Sequence, residues 1–480
     1  MRFNQSLVFT LFIFLVIQNR MMLTARAQET PAGTGSETLT FHGQLRNETA
    51  YRYDQPSAFT KILNLAYLEA RYTPSSNMHL TALVRSYYDA VYDFESVDSV
   101  VPRNNPRTIL TENLTAEEIE ALNIQNSRSI EIVKKKTEVR EFYLDLFFPK
   151  LDLRLGKQIV RWGVVEGARV NDVVNPQDFQ EFILRGIQDR YIPVWMIKAD
   201  FYSDPNTLEV LWIPDLHFNK PAPRGSEWEE FQNLDGLKKP PRTFENSIWG
   251  IKATRPIAGW DFSLVYLYTW DDFPSAFRTV FGLGQFGVSP DVTFNPRYHR
   301  LDQIGTNFTK GFGAVVINGE AAYVHGKMFG TRFGRFNPTT TDQTLQFALG
   351  EIQRDYAKYA LSVDFRLFGA DLSFQVQQQY IFAYQPEIIQ DRLDTFVAAF
   401  IRRELAYSRV LLEMLTIYYI NEKDTLIRPK VTYRLNDDFK IAVGADVFSG
   451  SIGGPLPGEF HFIGFFKNND RVYIELTYSF

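Results

Sequence analysis

Eighteen stretches of this chain alternate apolar with polar residues at a period of two, and the links joining them alternate between short and long. The last ten residues put Val472, Ile474, Leu476, Tyr478 and Phe480 on one face and Arg471, Tyr473, Glu475, Thr477 and Ser479 on the other. That is the signature of a half-apolar strand. The expected strands span 38–53, 61–73, 78–94, 134–148, 151–163, 194–203, 207–216, 246–255, 259–270, 298–309, 314–329, 353–368, 371–382, 394–407, 409–421, 425–435, 439–449 and 471–480. Links after even-numbered strands are short, such as Pro149-Lys150 and Gly369-Ala370, whereas the long gaps 95–133, 164–193, 217–245, 271–297, 330–352 and 450–470 all follow odd-numbered strands. A soluble sandwich has no reason to gather its long loops at one end. The alternation is instead the layout of a transmembrane antiparallel β-barrel with short periplasmic turns and long external loops. Closure satisfies every strand edge, which a bilayer requires.

The N-terminus agrees. Arg2 precedes an apolar run, Leu7–Ile17, and Ala25-Arg26-Ala27 offers a small-x-small cleavage site. Residues 1–27 therefore read as a signal peptide and 28–480 as one barrel domain in the outer membrane of a Gram-negative bacterium. No second run is long enough for a spanning helix. Only Gln28–Glu37 precede the first strand, so no N-terminal plug domain is expected.

Composition excludes further classes. The chain has no cysteine, hence no disulfide, thiolate metal site or thiol nucleophile. Its net charge of −5 is spread through both signs, which is not the footprint of a nucleic-acid binder. Hydrolase, zinc-protease and P-loop motifs are absent, and His42, His79, His217, His299, His325 and His461 lack metal-ligand spacing. The expectation is a protein that is not an enzyme, with no cofactor and no metal.

One segment carries a motif. Leu153–Ile183 reads LRLGKQIVRWGVVEGARVNDVVNPQDFQEFI, and its Gly156, Lys157, Gln158, Trp162, Gly163, Asn175, Pro176 and Asp178 match G-[RK]-Q-x3-W-G followed by N-P-x-D. It resembles the signature of an uncharacterised family of proteobacterial outer-membrane proteins, similar in architecture to eighteen-stranded alginate-export porins. The resemblance implies the barrel and leaves the solute open; no arginine ladder for a polyanion is present. Gly156 and Gly163 bracket an expected strand end. Asn175-Pro176 is a turn signal after which Asp178 can accept a local N–H.

After the motif comes a mixed-sign segment, including Arg161, Glu166, Arg169, Asp172, Glu181 and Arg185. These charges either pin a long loop by pairing or face a constriction when the loop folds inward. Strand parity places basic residues such as Arg154, Lys358 and Arg471 in the lumen with acids such as Asp145, Glu320 and Asp446, in balanced number, so the interior is expected to be wet. Arg428, Lys430 and Arg434, with Lys440 across the turn, form a candidate basic stripe. Thr115–Glu118 fits a helix-capping box, and the proline-rich 217–245 link reads as exposed surface. The last strand with its final Phe480 resembles the assembly signal of outer-membrane proteins, which implies the barrel assembly machinery as a partner. The expected function is a porin-like channel passing small or hydrophilic solutes through a loop-constricted lumen. The alternatives are an exit or docking component for a periplasmic or inner-membrane transport partner, and a barrel transporting hydrophobic substrates.

Overall fold

The computed structural model describes residues 37–95, 97–100, 133–223, 226–229, 236–281, 291–332, 350–453 and 461–480. The expected signal peptide and the Thr115 helix lie outside them. Eighteen strands form one sheet: β1 (Thr38–Arg52), β2 (Ala58–Ser75), β3 (Met78–Asp89), β4 (Lys135–Phe148), β5 (Leu151–Gln158), β6 (Val194–Ser203), β7 (Asn206–Ile213), β8 (Ile248–Ile257), β9 (Trp260–Trp270), β10 (Arg300–Phe312), β11 (Val315–Gly330), β12 (Glu351–Leu367), β13 (Ala370–Ile381), β14 (Leu393–Leu405), β15 (Val410–Tyr419), β16 (Asp424–Arg434), β17 (Phe439–Ser449) and β18 (Arg471–Ser479). Each pairs antiparallel with its neighbours in sequence, and β1 pairs with β18 from Gln44↔Ser479 to Arg52↔Arg471. The sheet is a closed antiparallel barrel, as the strand pattern predicts.

The differences from the sequence reading are local and have causes. The strand expected over 78–94 stops at Asp89, whose Oδ1 accepts the Ile62 and Val91 N–H groups and starts a helical turn, Val91–Phe94. The strand expected over 151–163 stops at Gln158 because the chain then turns into the barrel. The strand end thus falls between Gly156 and Gly163 rather than at Gly163. The link after β9 carries a hairpin of its own, Ser275–Phe281 paired with Asp291–Arg297.

The two faces of the sheet follow the period-two pattern. Large apolar side chains such as Leu264, Ile304 and Val443 are exposed on the outside. Near the short turns, Trp260 touches Phe262, Phe308 and Phe312, Phe365 touches Phe374, and Tyr478 touches Phe439 and Phe480. Such an aromatic girdle is where a barrel meets the membrane interface. Apolar clusters also lie inside, where links fold onto the inner wall of β6–β9 around Trp162 and onto β16–β17 around Phe182.

Closure is locked at the C-terminus. Phe480 N–H donates to the Gly43 carbonyl at 2.9 Å and Gly43 N–H donates back at 2.7 Å. A Cβ at position 43 would lie 2.1 Å from the Phe480 ring, so only glycine seats it. Gly43→Leu is expected to overpack this joint by about 1–3 kcal/mol and to reduce the fraction of chain that runs as a compact species in unheated detergent gels. Deleting Tyr478–Phe480 should abolish that species. Unchanged heat-modifiable mobility in both would show that the seam does not depend on the terminal ring.

Candidate functional site

The motif residues build a clamp at the point where the chain leaves β5. Gly156 adopts φ 141°, and a Cβ there would lie 2.2 Å from the Phe142 carbonyl oxygen, so glycine lets β4 and β5 approach at the exit. Gln158 is fully buried and donates to the Arg154 and Met196 carbonyls. Asn175 then ties both ends of the excursion together: its Oδ1 accepts the Val160 N–H at 2.8 Å, and its Nδ2 donates to Gln158 O at 3.2 Å and Ile192 O at 2.9 Å. Pro176 accepts the Ile192 N–H through its carbonyl. Asp178 accepts the Gln180 N–H at 3.0 Å, the local bond expected from its spacing, and pairs with Arg185 at 3.1 Å. Residues 159–193 thus form a closed inward loop with a fixed base.

The loop crosses the lumen on four anchors. Trp162 is 1% exposed within the β6–β9 cluster, and its indole N–H donates to Glu209 of β7. Glu320 of β11 accepts the backbone N–H groups of Val164, Val165 and Asn171 at 2.5, 2.6 and 2.9 Å. Hydrogen bonds to a charged acceptor are worth about 1.5–3 kcal/mol each, so one wall carboxylate fixes the loop's first half. Gly163 lies between them, where a Cβ would sit 2.8 Å from Asp172 and 2.9 Å from Glu320. Beyond, Phe182 is 1% exposed at φ 49° and its ring lies 4.7 Å from those of both Phe462 and Phe466. That left-handed backbone is costly for a side chain of this size and is held by the packing.

The fourth anchor is ionic. Lys61 of β2 and Arg471 of β18 donate to Glu181 at 2.7 and 2.8 Å, Arg471 continues to Asp446 at 2.8 Å, and Asp446 accepts from Arg428 at 2.6 Å. Asp189 takes Arg46 at 2.6 Å and the Tyr67 hydroxyl. Burial pushes the Glu181 carboxyl up, but Lys61, Arg471 and Arg185 outweigh it and hold the group below the usual carboxylate range.

What the loop leaves open is a cavity of about 820 Å³ along the β12–β16 wall. It reaches from Gln379 to Ser373 on β13, six residues and so roughly 20 Å along the strand. A second cavity of about 420 Å³ lies towards β1–β3 and β18. Glu166, Arg185, Gly186, Ile187, Phe400, Leu415 and Arg428 line both, and they form the neck between the two spaces.

The expected charged residues divide sharply. Arg161 pairs with Asp172 at 3.3 Å, Arg169 with Asp272 at 3.0 Å, Glu181 with Lys61, and Arg185 with Asp178 and Glu181. These pin the loop. Glu166 differs: it is exposed in the neck and has no ion pair among the described residues. The basic stripe does not survive, because Arg428 is neutralised by Asp446, Lys430 by Glu475 at 2.6 Å and Arg434 by Glu404 at 3.9 Å. Lys440, opposite Arg434 in the register, has no ion pair among the described residues. Nor is the 217–245 link all surface: residues 236–245 are mostly exposed, but Phe218, Glu227 and Trp228 are buried, the last stacked on Phe182. Sequence reasoning missed the apolar inner positions Phe396, Ala398 and Phe400 on β14 and Leu415 and Ile417 on β15. The signal was present, since Phe396–Ile401 reads FVAAFI with no polar residue to keep the alternation.

The lowered Glu181 carboxyl gives a signed pH dependence. A folded-state pKa below the unfolded 4.5 contributes stability above that pH and loses it only as pH falls through the lowered value. Amide-exchange protection of residues 176–192 is therefore expected to be the same at about pH 7 and about pH 5 and to fall only in stronger acid. Glu181→Gln should lose part of that protection already at neutral pH, because Lys61 and Arg471 keep Glu48 and Asp446 but lose the acid that ties them to the loop, an effect of about 1.5–3 kcal/mol. Equal protection in the variant would remove Glu181 from the docking scheme.

No curated protein matches the sequence. Among solved structures, the fold is similar to OpdK of Pseudomonas aeruginosa, with 8% identity and a TM-score of 0.48 over 92% of this chain and 98% of that one. It is also similar to OccAB3 of Acinetobacter baumannii, with 8% identity and a TM-score of 0.47 over 92% of this chain and 99% of that one. OmpT of Vibrio cholerae gives 10% identity and a TM-score of 0.41 over 94% and 100%. At such identity the likeness concerns the fold alone. The family described as "Protein of unknown function (DUF1302)" matches residues 17–394, most of the sequence, and the chain belongs to that family.

Proposed function

We propose that this protein is an outer-membrane channel for small water-soluble solutes, constricted by its own inward loop. The observation that carries the reading is the pair of cavities meeting at the Glu166–Arg185–Phe400 neck. An eighteen-strand barrel is wide enough to hold water unless something fills it, and here an internal loop fills part of it and leaves a passage along β12–β16. The apolar belt and aromatic girdle outside, with a charged and hydrogen-bonded wall inside, suit a protein that spans a membrane around water. The long links would lie outside the cell and the short turns in the periplasm.

Selectivity would depend on the charge that is not already spent. Reversing Arg169 or Arg185 would break pairs that hold the loop, whereas Glu166 is free to act on passing ions in a confined, low-dielectric space. In planar bilayers the purified barrel is expected to give single-channel currents with weak ion selectivity, which Glu166→Lys should shift towards anions. Removing Val165–Arg185 should raise the conductance. A folded barrel that stays silent after the loop is removed would overturn the channel and favour a docking component of an export complex.

Orientation is tested separately in this cysteine-free chain. Phe244→Cys, in an exposed long link, should react with a membrane-impermeant maleimide on intact cells, and Tyr407→Cys, in a fully exposed short turn, should not. The opposite labelling pattern would invert the barrel.

A further inference from the structure

The larger cavity has a wall that a purely aqueous pore does not need. Phe396 and Phe400 of β14 and Leu415 and Ile417 of β15 point inward, half-buried, facing the loop's Ile183 and Ile187. The register confirms that they share one face, with Phe400 opposite Leu415 and Ala398 opposite Ile417. Leaving such surface in contact with water forfeits hydrophobic free energy in proportion to its area, so an apolar body that covers it gains that contribution.

The same cavity holds two cations with no ion pair among the described residues. Lys358 of β12 is half-buried and has neither a hydrogen bond nor an ion pair among the described residues, although it lies directly opposite Gln379 in the register. Arg190 donates one Nη to the Ile183 carbonyl at 3.1 Å, while its buried Nε has no partner. The remaining lining cations are occupied: Arg169 by Asp272, Lys327 by Asp271, Arg185 by Asp178 and Arg428 by Asp446. Two lining acids also lack an ion pair, but Glu166 sits at the neck, and Asp364 is six residues from Lys358 on the same strand, roughly 20 Å away. Burial lowers the Arg190 guanidinium to about 10, with Arg169, Arg428 and Arg161 adding like-charge repulsion, which leaves it a cation at neutral pH. An unpaired buried cation is costly, and a ligand anion offsets that cost.

Resting on the channel reading, we infer that the solute held in this cavity is a small amphipathic carboxylate, its head group on Lys358 and Arg190 and its apolar body on the β14–β15 wall. A cavity of about 820 Å³ accommodates an aryl or short acyl chain, in the size range of ordinary ligand sites. Apolar contact supplies the affinity and the cations supply the orientation.

The test uses the full barrel in lipid nanodiscs, with empty nanodiscs as the blank, and calorimetry with three probes: 4-phenylbutanoate, its neutral amide and acetate. The carboxylate is expected to bind at least about tenfold more tightly than the amide, since a charge-assisted bond is worth that ratio or more, and acetate should not bind measurably. Lys358→Gln should weaken the preference for carboxylate over amide, and Arg190→Gln added to it should abolish that preference, while the amide affinity stays the same. Equal binding of carboxylate and amide by the native protein, or acetate binding as well as phenylbutanoate, would overturn the inference even if the variant fails to fold. The channel reading fails separately. Binding with these preferences in an electrically silent barrel keeps the site and removes the channel, and conductance without binding does the reverse.

Discussion

Closing the sheet is the constraint from which the rest follows. Once β1 pairs with β18 along Gln44–Arg52, every strand has two neighbours and no edge remains. The outer face can then be uniformly apolar. The inner face becomes a surface of fixed area that water or protein has to cover. This chain covers much of it with its own segment from residue 159 to 193, and the wall is sequenced to receive that segment: Glu320 offers one carboxylate to three backbone N–H groups, and Lys61 and Arg471 converge on Glu181.

Buried ion pairs of this kind contribute less to stability than to placement. The desolvation cost of Glu181, Asp446 and Arg471 consumes much of their mutual attraction, and an apolar contact of similar volume would hold the loop as well. An apolar contact would not hold it in one register. The chain Arg428–Asp446–Arg471–Glu181–Lys61 is satisfied only when Glu181 sits at one depth and one rotation, and the Asp189–Arg46 pair repeats the demand 8 residues on. Phe182 adds the apolar part at the same level, filling the space among Trp228, Phe448 and Phe466. Placement by charge and retention by ring packing together fix the width of the neck.

The barrel was legible in the sequence because period-two alternation and link length are local signals, and they extend over nearly every strand. Val472, Ile474 and Leu476 face outward for the same reason in the sequence as in the structure. The loop's destination was not legible, because its anchors lie far away in the chain. Trp162 meets Glu209, and Arg428 meets the Leu184 carbonyl across 244 residues, and no spacing rule connects such positions. The basic stripe misled for a related reason. Arg428 and Lys430 look unpaired along their own strand, yet their acids stand on β17 and β18. Of the motif, the turn at Asn175-Pro176 was readable as a turn, but the role of Asn175 in joining Gln158 to Ile192 required the closed loop.

The departures from alternation carry information of a different kind. On β14, Phe396–Ile401 is apolar on both faces, and a strand of that composition is an aggregation liability before the barrel closes. A polar residue at 396, 398 or 400 would remove the liability without disturbing the outer belt, since those positions face the lumen. The inward loop covers part of this surface: Ile417 packs on the cluster that holds Phe182, and Ile183 and Ile187 line the same cavity. Loop docking therefore accounts for Ile417, whereas Phe396, Ala398 and Phe400 lie outside that cluster. These three line the cavity together with Lys358 and Arg190, which have no ion pair among the described residues, and a cavity with an apolar wall and unspent positive charge is complementary to a molecule with the same division: apolar along one side and anionic at one end.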